Sequence, residues 1–147
     1  MTIMPHNHLM WAVIDIYTGR EDNIFWRRLP GDAGGKIEAA GAKSLGPRDA
    51  EPLGRDIIHT VTNPPPRLTG AIHVYGGDFF AAARSEWDPE TLLERPFDLT
   101  KNIKLFEAAN RAFVRFWSRD KPSDYHFVSG LFSRSPETEF NVRLTRN

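Results

Sequence analysis

Short apolar runs rich in β-branched and aromatic residues, broken by turn residues, fill the first part of the chain. MWAVIDIYTG, residues 10 to 19, reads as a strand that stops in a turn at Thr18-Gly19. NIFWRRL predicts a second strand, with Phe25 and Arg27 on one face and Trp26 and Arg28 on the other. The Gly- and Pro-rich stretch PGDAGGKIEAAGAKSLGPRDAEPLG has room only for short strands around turns. Two further strand candidates follow, DIIHTVTN (56 to 63) and GAIHVYG (70 to 76), joined by the stiff link PPPRLT. Short strands at this spacing predict a barrel or a sandwich rather than βαβ units.

Beyond about residue 88 the pattern changes. Asp88-Pro89 is a helix start signal, and DPETLLERP predicts a short helix closed by Pro96. LTKNIKLFEAANRAFVRFW predicts a longer one, with Leu99, Ile103, Phe106, Ala109 and Phe113 recurring at three- and four-residue steps. The expected architecture is mainly β with C-terminal helices. Residues 1 to 115 form the expected domain, and 116 to 147 are a tail with no sustained period and no assignable fold or role.

Composition narrows the function classes. At 147 residues, 40% hydrophobic and 26% charged, the chain suits one domain with a real core. Nineteen basic and 19 acidic residues cancel and are scattered, so neither nucleic acid nor an anionic membrane is expected as a partner. No stretch reaches the roughly 18 apolar residues of a membrane helix, and MTIMPHNHL lacks the plan of a signal peptide, which predicts a cytoplasmic protein. Without cysteine there are no disulfides or thiolate sites, and a metal must be held by His, Asp or Glu.

Histidine carries the candidate chemistry. In PHNHLMWAVIDIY, His6 and His8 sit two residues apart at the head of the apolar run. On a strand they share a face about 7 Å apart, from a rise of roughly 3.3 Å per residue. They read either as surface histidines or as half of a metal site. His59, on one face of its strand with Val61 and Asn63, is a candidate third ligand. Three imidazoles from two strands would make a neutral site with open positions, suited to non-haem iron or catalytic zinc.

His6-x-His8, Gly19, Pro52-x-Gly54 and His59-x-x-x-Asn63 together resemble the paired motifs of the cupin superfamily. The resemblance covers residues 5 to about 110 and implies a double-stranded β-helix, or jelly-roll barrel, holding a metal. It departs from the usual pattern where a Glu is expected four or five residues after His8, since Ala12 and Val13 stand there. Among cupins, a three-histidine site without carboxylate is similar to that of the thiol dioxygenases, the cysteine dioxygenase and 3-mercaptopropionate dioxygenase group. PHNHLMWAVIDIYTGREDNIFWRR, GRDIIHTVTNPPPRLTGAIHVYGGDFF and Arg84 carry this likeness, which is to the bacterial type because a Cys–Tyr crosslink cannot form.

That resemblance implies His6, His8 and His59 as ligands of Fe(II), with zinc or nickel as alternatives in purified protein. It implies His73 and Tyr75 as an outer pair in which the imidazole orients the phenol, and Arg84 as the anchor for a substrate carboxylate. The Ser–His–Tyr relay of the family would begin at Ala71, which has no hydroxyl. From the residues alone, His73 also reads as a satisfied core histidine, Tyr75 as a packing aromatic, and Arg84 as a loop residue near Glu86 and Asp88. The implied reaction takes a small thiol carboxylate and dioxygen to a sulfinic acid. The alternative is a non-catalytic metal-binding module, either sensor or structural. Relatives carry a further region before their first histidine, so a short N-terminal part is expected, with open strand edges that predict a homodimer.

Overall fold

A computed structural model of the chain describes residues 1–64, 68–117 and 141–146. In chain order these form strands β1 (Thr2–Asn7), β2 (Ala12–Thr18), β3 (Glu21–Arg28), β4 (Ile37–Leu45), β5 (Ala50–Leu53), β6 (Ile58–Thr62), β7 (Gly70–Tyr75), β8 (Ser85–Trp87) and β9 (Glu94–Pro96). Helix α1 (Leu99–Trp117) and strand β10 (Asn141–Arg146) complete them. The protein is mainly β, in two antiparallel sheets compatible with a β-sandwich. One sheet runs β4-β3-β6-β1-β8-β9 and the other β10-β7-β2-β5. Among the described residues no helix is long and apolar enough to cross a membrane.

The alternation of β2 and β7 makes the core. Ala12, Ile14 and Ile16 of β2 stand opposite Tyr75, His73 and Ala71 of β7 and face inward. With Leu53 of β5, Phe79 and Met10 they pack against Leu45 of β4 and Phe25 of β3, so both sheets contribute to one core. A second cluster of Ile37, Ile58 and Trp87 lies under Trp26 and Leu92. Because Ile58 and His59 are successive strand residues they point to opposite faces, which leaves the His59 face free for chemistry.

The histidine pair and the apolar run behind it are not one strand: β1 carries His6, and the run forms β2 of the other sheet. Leu9 has φ 53°, a left-handed conformation unusual for leucine, and there the chain leaves β1 of one sheet for β2 of the other. The turn at Gly19 also needs its residue type: φ is +77°, and an added Cβ would lie 2.2 Å from the Leu68 carbonyl oxygen.

Three expectations are corrected. The Gly-rich stretch contains β4, nine residues long and the longest strand described, because IEAAGAKSL pairs with the whole of β3 as an edge strand whose mostly exposed positions need no apolar side chains. DPETLLERP is not a helix, so α1 is the one C-terminal helix described. Asp88 does cap a turn, its Oδ1 accepting from the Glu90 and Thr91 amides, but Leu92 turns left-handed (φ 57°) and the chain returns as β9 to pair with β8. Within α1, Ile103 is 41% exposed and Asn102 takes the inward place, with Leu99 packed on the core. Pro65, Pro66 and Arg67 of the proline link, the Phe113 side chain and residues 118–140 lie outside the described residues. From the tail, β10 pairs along β7 from Asn141↔Tyr75 to Arg146↔Gly70.

Candidate metal centre

Strand register brings the three histidines together. His6, in β1, stands directly opposite His59 of β6, and His8 lies one residue past the end of β1. The β1–β6 register shifts between Ile3 and His6, a bulge of the kind that re-aims side chains. The ring centroids are 5.2 Å apart for His6 and His8, 4.7 Å for His6 and His59, and 5.0 Å for His8 and His59. One nitrogen from each ring lies within 4.8 Å of the others, and all three side chains are buried, so the cluster can hold a metal ion.

The contacts around the rings fix which nitrogens face the centre. His6 Nδ1 lies 2.9 Å from the Met4 carbonyl, which can only accept, so Nδ1 carries the hydrogen and Nε2 keeps its lone pair. His59 Nδ1 lies 2.8 Å from Asn23 Oδ1, and the Asn23 amide donates to Glu21 Oε1 at 3.0 Å, which orients the amide and leaves His59 Nε2 as the donor atom. His59 Nε2 stands 3.4 Å from His8 Nε2. That matches the edge of roughly 3.4 Å in a tetrahedron of nitrogens bound at about 2.0–2.1 Å. Two inward lone pairs at that distance fit a shared cation, and the donor set of three neutral nitrogens fits a divalent transition metal.

Electrostatics hold the cluster neutral. Burial lowers the His6 imidazole from 6.5 to about 4, partly offset by its bond to Met4, with the Arg84 charge lowering it further. Burial also carries His8 and His59 well below the ordinary value, and the neighbouring imidazoles add to the effect. At neutral pH all three present lone pairs, the form a metal needs.

Of the other sequence candidates, His73 and Tyr75 come from the opposite sheet, and Arg84 lies just before β8. The Tyr75 ring of β7 meets the His8 ring edge-on at 5.0 Å, and Tyr75 OH lies 3.2 Å from His73 Nδ1. Ala71, on the same face, is fully buried. His73 Nε2 lies 3.7 Å from Glu21 Oε2, too far for a hydrogen bond. The histidines, Tyr75, Phe79, Phe97 and Phe106 enclose a cavity of about 40 Å³. Arg84 is not in its lining. Its guanidinium is stacked on Phe79 at 3.9 Å and Phe97 at 4.1 Å, and it lines an open groove of about 770 Å³ that shares Phe97 with the cavity.

Glu21, Asn23 and Phe97 were not among the residues singled out from the sequence. Glu21-x-Asn23 carried a usable signal: two polar residues at alternate positions of a strand, both buried on the face that meets His59. Phe97 had none, because its position depends on β9 pairing with β8. Set against models of known protein families and against curated proteins, the chain matches none. Fold and geometry together define a mainly β protein with a buried three-histidine cluster able to hold a metal ion.

Proposed function

We propose that the chain is a cupin-type non-haem iron thiol dioxygenase that converts a small thiol carboxylate, of the cysteine or 3-mercaptopropionate kind, to its sulfinic acid. The observation that carries this reading is the combination of three neutral imidazoles, no carboxylate among them, with a Tyr–His pair at the cavity wall and an arginine one layer away. Iron(II) held by His6, His8 and His59 would supply the redox chemistry between dioxygen and a thiolate, for which a neutral site with open positions is suited.

The chain's own residues bind and orient. Arg84, at the groove, receives the substrate carboxylate with a planar fork of donors, while its stacking on two phenyl rings fixes the plane of that fork. The thiol then passes Phe97, the residue common to groove and cavity, and reaches the imidazoles. Tyr75 offers its hydroxyl to the reacting end, steadied by His73. The phenyl rings exclude water.

Purified protein is expected to carry near-stoichiometric metal that His59→Ala loses. After anaerobic iron loading, an oxygen electrode should record uptake that depends on 3-mercaptopropionate or cysteine. Metal without thiol-dependent uptake defeats the dioxygenase and leaves the second reading, a non-catalytic metal-binding module. Two observations favour that second reading: Ala71 supplies no hydroxyl to a relay, and a cavity of about 40 Å³ suits an ion with a water or two, at roughly 10–15 Å³ per water, better than a thiol carboxylate. Arg84→Ala should raise KM for the thiol about tenfold or more with a smaller change in kcat, as loss of a charge-assisted bidentate contact predicts. An unchanged KM would remove Arg84 from the substrate site.

A further inference from the structure

Glu21 is a buried carboxylate, 2% exposed, at the first position of β3, and only its Oε1 enters the ligand network described above. Its two oxygens face different parts of the site. Oε1 accepts from the Asn23 amide, whose oxygen accepts from His59 Nδ1. Oε2 is the oxygen 3.7 Å from His73 Nε2, and that nitrogen has no hydrogen-bond partner among the described residues. The other nitrogen of the same ring meets the Tyr75 hydroxyl. One carboxylate of the metal-ligand sheet thus faces both the His59 network and the Tyr–His pair of the facing sheet.

We infer that Glu21 is the positioning residue of the site, favouring the proton on His73 Nε2 through its charge across 3.7 Å and holding, through Asn23, the proton on His59 Nδ1. A carboxylate oxygen accepts, so a ring nitrogen turned toward it is favoured in its N–H form. With Nε2–H directed at Glu21, the neutral His73 ring keeps a lone pair on Nδ1 and takes the hydrogen bond from Tyr75 O–H, which fixes the phenol. With Nδ1–H held at Asn23, His59 keeps Nε2 for the metal. Glu21 in this way fills the role that Ala71 cannot, reached from another strand. The consequence for turnover rests on the dioxygenase reading; the proton positions do not.

Glu21→Gln separates the two arms. The Gln amide oxygen can still accept from Asn23, but its NH₂ group then faces His73 Nε2 and demands an acceptor there, which moves the His73 proton to Nδ1. The experiment is long-range proton–nitrogen NMR on histidine-labelled, zinc-loaded protein, with the His73 resonances assigned by their loss in His73→Gln. The expected result is His73 with Nε2–H in the wild type, loss of that proton in Glu21→Gln, and His59 unchanged with zinc affinity within about threefold. Glu21→Leu, which removes both arms, should also weaken zinc about tenfold or more. A wild-type His73 without Nε2–H overturns the inference without any variant having to fold, and so does a Glu21→Gln protein that retains it. In iron-loaded protein Glu21→Gln should lower kcat for the thiol about tenfold with little change in KM, in the range typical of lost outer contacts. If the proton positions are as expected and the wild type oxidises no thiol, the dioxygenase reading fails and this inference stands.

Discussion

A neutral imidazole buried among other imidazoles resists protonation, and the acid behaviour of the metal-free protein follows from it. The unfolded chain binds protons at its histidines as pH falls through about 6.5, whereas folded His6 does so only near 4. Between these values the unfolded state holds more protons, so stability declines with falling pH, by up to about 1.4 kcal/mol per unit for each histidine that stays neutral. Urea titrations of metal-free protein from pH 7.5 to 4.5 should show this decline, and His6→Gln should make it shallower while His8 and His59 keep their share. A pH-independent midpoint would mean the imidazoles are not buried as described. Asn23→Ala removes the acceptor that keeps the proton on His59 Nδ1 and should weaken zinc about 10–100-fold in competition with a chelator.

Among the elements, those with strong local signals were legible in the sequence. β2, β6 and β7 are runs of β-branched and aromatic residues that end at turns, and their limits fall within a residue or two of the reading. β4 was not legible as one long strand, because an edge strand of Ala, Gly and Lys carries no alternation and is specified by its partner β3. The two aspartates show how a local signal is overruled. Asp88 and Asp98 both accept from amides two or three residues on, but only Asp98 is followed by enough apolar surface to carry a helix onto the core. As N-cap of α1, Asp98 bonds the Lys101 amide at 2.9 Å. Asp98→Ala should therefore cost about 1 kcal/mol in thermal or chemical denaturation, and Asp88→Ala should leave helix content unchanged.

For the whole molecule, the decisive facts are non-local. Sheet order β3-β6-β1 places Asn23, His59 and His6 side by side although they come from three separated segments, and nothing in their sequence spacing encodes that order. The histidines were legible as candidate ligands; Glu21 and Asn23 showed only as polar residues at alternate strand positions, and their role appears only once β6 lies beside β3. A metal shared by β1 and β6 would act as a brace between chain segments. Zinc at 1,000 times its dissociation constant should then stabilise the fold by about 4 kcal/mol, read as a rise in Tm that His59→Ala abolishes.

The cross-strand pairing of His6 with His59 also makes the site a clock for folding. His8 and His59 are 51 residues apart in sequence, so their nitrogens meet only after the loop between them has closed and the strands have found register. A slip of one residue would turn the whole His59 face away. In a stopped-flow refolding run with cobalt(II), colour should therefore appear after β-structure begins to form, marking the step at which β1 and β6 pair in register.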